Sequence, residues 1–216
     1  MTQTDQGASA PDDLQHQARE LNARLQAARV AGQGERAEVA RRIVATMPPE
    51  LAQRAQWLLW RMEADPDRPG SLKKPLKTPY WTMGRRRAGQ LGGDEDRRHL
   101  QPLEAALRAF TNDRPGRWGG VGFAFLEGDG LIGIDLDWKD TGEPSNEQQA
   151  IMDLAASFTE WSPSGLGVHI IVSGQCDSFK HDDVGVEVYC GGRYFTVTGQ
   201  RMESAPADVR PIKPHD

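Results

Sequence analysis

With 216 residues, 38% hydrophobic and 26% charged, the chain has room for one ordinary buried core, and a mean hydropathy of −0.63 leaves polar length beyond it. No apolar run approaches the ~20 residues that cross a bilayer and residues 1–13 contain no apolar signal core, so no membrane partner is expected and the expected compartment is the cytoplasm. The net charge of −5 excludes a protein that coats nucleic acid by charge alone. Two cysteines, Cys176 and Cys190, are too few for a disulfide framework or a four-ligand zinc site and are expected as reduced thiols.

Residues 1–13 read as disordered. Leu14, Ala18, Leu21, Leu25 and Ala28 then recur at helical spacing, predicting an amphipathic helix that Gly32 and Gly34 break. A second helical stretch runs to about Met47, where Pro48 and Pro49 close it. Residues 1–50 are thus set apart as a disordered start and a helical extension, either a docking element or a brace. The main domain is expected over 51–203, with a tail over 204–216.

Gln56 to Arg61 is an aromatic-rich run that fits a strand. A basic segment follows: residues 68–98 hold nine Lys/Arg against three acids, a local +6 that leaves −11 for the rest. Such a segment either faces phosphates or is a solvated loop. Leu103 to Phe110 reads as a helix. Val121–Leu126 and Leu131–Leu136 are apolar runs separated by Glu127-Gly128-Asp129-Gly130, a hairpin signal. Ser145 and Gln148 form a capping box for a helix carrying Ile151, Leu154, Ala155 and Phe158 on one face. Val168–Ser173, Val184–Tyr189 and Tyr194–Thr198 complete the strands. Strands predominate without βαβ alternation, so the class is α+β with a mixed, mostly antiparallel sheet.

Three clusters can carry chemistry. In Ile132-Gly133-Ile134-Asp135-Leu136-Asp137 the period of a strand puts Asp135 and Asp137 on one face, where two carboxylates repel unless a divalent cation joins them. The alternative is a strand end with two solvated acids. Trp161-Ser162-Pro163-Ser164-Gly165-Leu166-Gly167-Val168-His169 is a turn feeding a strand, whose hydroxyls and N–H groups suit a phosphate, with His169 as a further donor or, alternatively, a structural histidine. Glu187 is an acid in an apolar strand, costly unless it binds something. The Gly191-Gly192 pair is expected to make a hairpin that returns Arg193 and Tyr194 close to Glu187, where Arg193 either clamps a phosphate or pairs with Glu187. Three carboxylates, a phosphate cradle and an arginine are the components that nucleotidyl transfer needs.

On these elements the chain resembles the archaeo-eukaryotic primase superfamily, in particular the small primase–polymerases of phages and plasmids. The resemblance lies in the Ile132–Asp137 strand, the Ser162–His169 element and Val186-Glu187-Val188. It extends to Ala55–Trp60, Lys73-Lys74-Pro75, Gly120–Phe123 and Gly192–Gly199, covering about residues 54–200. It implies an RRM-like core in the 51–203 domain and two-metal polymerase chemistry. Asp135, Asp137 and Glu187 would hold two Mg²⁺ or Mn²⁺ ions. Ser162, Ser164 and His169 would contact the incoming triphosphate, Arg193 and Tyr194 would border the nucleotide, and Lys73 would be a further phosphate contact. A Tyr194 ring beside the ribose would exclude a 2′-hydroxyl; the alternative is a core aromatic.

The reaction expected is template-directed primer synthesis or extension, with a DNA template or primer and nucleoside triphosphates as partners. The resemblance departs in two places: the cysteines of a zinc insert are lacking, so no zinc is expected, and no helical module or helicase follows. The chain is then a fragment or works with a replicative helicase or helical priming module in trans. The alternatives are a replication-initiator or DNA-binding module without catalysis, and a metal-dependent nuclease.

Overall fold

The computed structural model describes residue 27 and residues 30–64, 75–113, 115–138 and 140–212. The predicted helix over 14–28, residue 27 apart, and Lys73 and Lys74 lie outside the described residues. Helix α1 covers 30–46 and runs through Gly32 and Gly34 without the expected break. Each glycine costs a helix ~1 kcal/mol relative to alanine. Against that cost, Ile43 and Met47 are buried in the core, with Val39 and Ala40 packed beside them, and Arg36 donates to the Asp113 carbonyl at 3.0 Å. Pro49 opens a single turn, α2 (Pro49–Ala52), because a proline fits the first helical position.

The remaining elements follow as β1 (Trp57–Glu63), β2 (Leu76–Tyr80), α3 (Asp94–His99), α4 (Leu103–Thr111), β3 (Gly120–Phe125), β4 (Leu131–Asp137), α5 (Asn146–Ala155), β5 (Thr159–Trp161), β6 (Gly167–Ser173), β7 (Phe179–His181), β8 (Val186–Tyr189), β9 (Arg193–Val197) and β10 (Arg210–Pro211). The class is α+β, with two sheets. The first has the order β2-β1-β3-β9 and is antiparallel throughout. The second has the order β10-β6-β4-β8-β7, with β5 also on β6, and only β10 runs parallel to its neighbour.

Both expected hairpins are corrected by this topology. The 127–130 turn forms, but β3 and β4 enter different sheets. Asp129 fixes the turn by accepting from the Leu126 N–H at 2.9 Å, the Leu131 N–H at 2.8 Å and Gln56 Nε2 at 2.7 Å. These bonds direct β4 away from β3. Likewise β8 pairs with β4 while β9 returns to β3, so the Gly191-Gly192 turn passes the chain from one sheet to the other.

The two sheets meet over aromatic rings. Phe125 and Phe195 pack edge to face at 4.9 Å, and a Cβ on Gly133 of β4 would lie 2.5 Å from the Phe125 ring. Glycine there lets the sheets approach. Helix α4 packs Leu103, Ala106, Leu107 and Phe110 under the first sheet, and α5 covers the far face of the second through Ala155. Each fully buried large apolar side chain contributes roughly 1.5–3 kcal/mol.

Much of the 68–98 charge serves the fold. Arg87 and Asp96 are buried together, Nη2 to Oδ2 2.8 Å and Nε to Oδ1 2.6 Å. Arg85 pairs with Glu95 and Arg86 with Glu63. The two cysteines are also corrected: Cys176 and Cys190 form a disulfide, Cα atoms 6.1 Å apart. The segment before β7 runs back beside the end of β8, where Ser178 Oγ accepts the Cys190 N–H at 2.9 Å.

Candidate active site

Strand pairing assembles one row of ionisable residues across the second sheet. Glu160 of β5 lies opposite His169 of β6, His169 opposite Asp135 of β4, Asp135 opposite Glu187 of β8, and Glu187 opposite Lys180 of β7. Residues directly opposite share a face. Asp137, two residues beyond Asp135, belongs to the same face. Ile132, Ile134 and Leu136 face the other way, into the core under α5. Asp135 and Asp137 thus share a face as the strand period predicts, and the β4–β8 register adds Glu187 to it.

The row runs from buried to open. Glu160 is 3% exposed and its carboxylate accepts the Thr198 N–H at 3.1 Å and the Gly199 N–H at 3.0 Å. Burial pushes its pKa up to about 7 despite those bonds. His169 is 6% exposed, with its ring stacked on Phe195 at 4.4 Å and Nε2 3.8 Å from Asp135 Oδ1. Burial, with Lys77 adding like charge, pushes it down to about 3, so it is neutral at physiological pH. Its Nδ1 is buried and has no hydrogen-bond partner among the described residues. At the open end, the Asp135 and Glu187 side chains are 31% and 27% exposed.

Asp135, Asp137 and Glu187 line a recess of about 410 Å³ together with Asp140, Glu147, Asp182 and Asp183, seven carboxylates in all. Lys180 Nζ stands 2.8 Å from Glu187 Oε1 and 2.9 Å from Asp182 Oδ1, and these bonds raise its pKa. Among the described residues no three carboxylate, histidine or cysteine side chains stand close enough together to hold a metal ion as placed.

The end of β4 is held by backbone contacts. Gln148, in the first turn of α5, donates to the carbonyls of Asp137 (3.1 Å), Val184 (2.9 Å) and Gly185 (3.3 Å). Gly185 has φ +62°, and a Cβ there would lie 2.1 Å from the Asp137 carbonyl oxygen. On the other side a Cβ on Gly167 would lie 2.4 Å from the Leu136 oxygen. The Ser162–Gly167 turn is therefore drawn beside Asp137, its register partner being Gly167. Ser162 and Ser164 are at or near the surface, with their hydroxyls 2.9 Å apart.

Arg193 and Tyr194 stand on β9, which pairs with β3 and not with the strand of Glu187. Arg193 is exposed on β9, its guanidinium 5.8 Å over the Tyr189 ring, and the partner of Glu187 is Lys180 instead. Tyr194 packs with Leu58, Leu91, Leu100, Ala124 and Leu126, and its hydroxyl donates to the Lys77 carbonyl. Burial raises its pKa. Those contacts are the core alternative. Sequence reasoning missed Lys180, Glu160, Gln148 and Lys77, whose Nζ reaches Thr196 Oγ1 at 3.4 Å. Gln148 was visible only as a cap, and Phe179-Lys180-His181 is too short to register as a strand.

Comparison with known proteins adds an independent observation. The chain is 31% identical over 162 residues, 69% of its length, to a DNA primase-polymerase of Nitratiruptor phage NrS-1. The chain belongs to the primase–polymerase family. It spans 20% of the length of that relative. No protein-family model matches the chain. Among the described residues no helix is long and apolar enough to cross a membrane.

Proposed function

We propose that this chain is the nucleotidyl-transfer domain of a primase–polymerase, with an RRM-like core, acting on nucleoside triphosphates and a DNA template. The observation that carries the reading is the register Asp135↔Glu187 with Asp137 on the same face, in a chain related to a primase–polymerase. The donor chemistry fits Mg²⁺ or Mn²⁺: three carboxylates line one recess, with an ammonium already against Glu187. Bound there, such ions would lower the pKa of a primer 3′-hydroxyl and neutralise the triphosphate.

The chain's own residues supply the rest. Asp135, Asp137 and Glu187 hold the cations. The Ser162 and Ser164 hydroxyls stand on the turn that leads into Gly167, the register partner of Asp137, and can donate to phosphate oxygens. His169, neutral and stacked on Phe195, has an Nδ1 with no partner among the described residues that can bond the same anion without adding charge. Arg193, standing clear of Glu187, would meet the triphosphate from the rim. The acidic recess itself repels DNA, so template contact falls to other surfaces, with a helicase or helical priming module as the partner in replication.

The test is a primed DNA template incubated with dNTPs and Mn²⁺ or Mg²⁺, with Asp135→Ala and Glu187→Ala alongside. Primers should lengthen with the wild type and in neither variant. Shortened primers would identify a nuclease, and binding without any change in the primer a non-catalytic DNA-binding module.

A further inference from the structure

Lys180 has no role in the reaction as described, yet it lines the recess. Among the described residues lining that recess it is the only lysine or arginine, against seven carboxylates. Its strand, β7, is the exposed edge of the second sheet, and its side chain is 52% exposed while Glu187 is 27% exposed. The ammonium nevertheless lies 2.8 Å from Glu187 Oε1, directly across the register from the strand that also faces Asp135.

We propose that Lys180 is an internal counter-ion at Glu187: without metal its ammonium takes the place there that a divalent cation occupies, and cation binding displaces it. This rests on the reading that Asp135, Asp137 and Glu187 hold the cations. Carboxylates in register on adjacent strands repel, and the Lys180 ammonium offsets one negative charge, at Glu187. A doubly charged cation offsets more, so exchange is favourable once the ion is available. The residue type suits a group that must leave. Lysine is a point charge on a flexible four-carbon stem, whereas arginine would grip a carboxylate with two parallel bonds. Its place on an edge strand lets the head swing to solvent without disturbing the sheet.

Two substitutions should therefore act with opposite sign on metal affinity. Mn²⁺ binding to the whole protein, without nucleotide, is measured by electron paramagnetic resonance for the wild type, Lys180→Met, Lys180→Arg and Asp135→Asn, with thermal midpoints taken with and without Mn²⁺. Lys180→Met should bind Mn²⁺ about fivefold more tightly, the scale of one partly exposed ion pair. Its midpoint should fall below wild type only when Mn²⁺ is absent. Lys180→Arg should bind Mn²⁺ no more tightly than wild type. Equal or weaker binding by Lys180→Met, or tighter binding by Lys180→Arg, overturns the counter-ion role while leaving the site intact. Mn²⁺ binding that survives unchanged in Asp135→Asn overturns the site itself, and this inference with it.

Discussion

Asp96 and Asp135 are both aspartates close to the core, and the protein treats them in opposite ways. Asp96 is 3% exposed and fully partnered: Arg87 holds both oxygens, Trp81 Nε1 donates at 3.1 Å and the Gly92 N–H at 2.9 Å. Burial works against its ionisation, but those bonds keep its pKa below the ordinary range. Asp135 faces another acid across the register and opens on a recess lined by more of them. Asp96 is closed off from solvent by its partners, whereas the Asp135 side chain is 31% exposed on an acidic recess. Activity and stability should separate accordingly.

The largest effect expected is at the pair that defines this contrast. Asp135→Ala should lower primer extension about 10³-fold or more while changing the thermal midpoint of the metal-free protein little, since this side chain is 31% exposed. Arg87→Met should do the reverse, costing ~3–5 kcal/mol in chemical denaturation by leaving Asp96 buried and unpaired. If Asp135→Ala unfolded the protein and Arg87→Met did not, the division of roles would be reversed.

Gly185 sharpens the contrast, since it belongs to the fold yet touches the site. Gly185→Ala places a Cβ 2.1 Å from the Asp137 carbonyl at φ +62°. We expect a stability cost of ~1–3 kcal/mol and a loss of ~10–100-fold in extension rate as the end of β4 shifts. A rate equal to wild type would show that Asp137 is not placed by this contact.

A smaller effect comes from the buried end of the row. Glu160 is pushed up to about 7 from 4.5, so the folded protein holds its proton where the unfolded chain has lost it, and this group makes stability fall as pH rises from 4.5 to 7. His169, pushed down from 6.5 to about 3, acts oppositely, adding stability as pH rises from 3 to 6.5. Denaturation curves of Glu160→Gln should lose the decline and keep the rise; a profile parallel to wild type would remove Glu160 as its cause. Smallest is Tyr194→Phe, expected to cost ~1 kcal/mol for the lost bond to the Lys77 carbonyl. In Tyr194→Ala, which removes the ring, the ratio of ribo- to deoxynucleotide incorporation should stay unchanged, and a rise in ribonucleotide incorporation would restore the ring to the nucleotide site.

How far the sequence could be read followed the strength of local pattern. Strands β1, β3, β4, β6, β8 and β9 and helices α4 and α5 all announce themselves by apolar period, a capping box or both. What period cannot carry is pairing. The 127–130 turn looks like a hairpin because its residues suit a tight turn, but Asp129 uses that turn to send β3 and β4 into separate sheets. Strand β2 and helix α3 went unseen because Leu76-Lys77-Thr78-Pro79-Tyr80 and Asp94–His99 have no apolar rhythm. One is held by pairing with β1 and the other by the Arg87–Asp96 contact. In the site, the alternation of a strand was enough to put Asp135 and Asp137 on one face. The register that adds Glu187, His169 and Lys180 to their row exists only once the sheet is assembled.

The return of β9 to β3 has a consequence for how the chain is made. Val121 pairs with Val197, so one side of β3 has no partner until β9 has been synthesised. At a synthesis rate of ~5–20 residues per second, and with roughly 70 residues intervening, that edge stands open for about 4–14 s. It is an apolar strand, buried along its whole length in the finished protein. For those seconds the nascent chain presents the kind of unpaired edge that draws other strands, and the second sheet, whose strands β4, β6 and β8 all lie between β3 and β9, must take shape beside it.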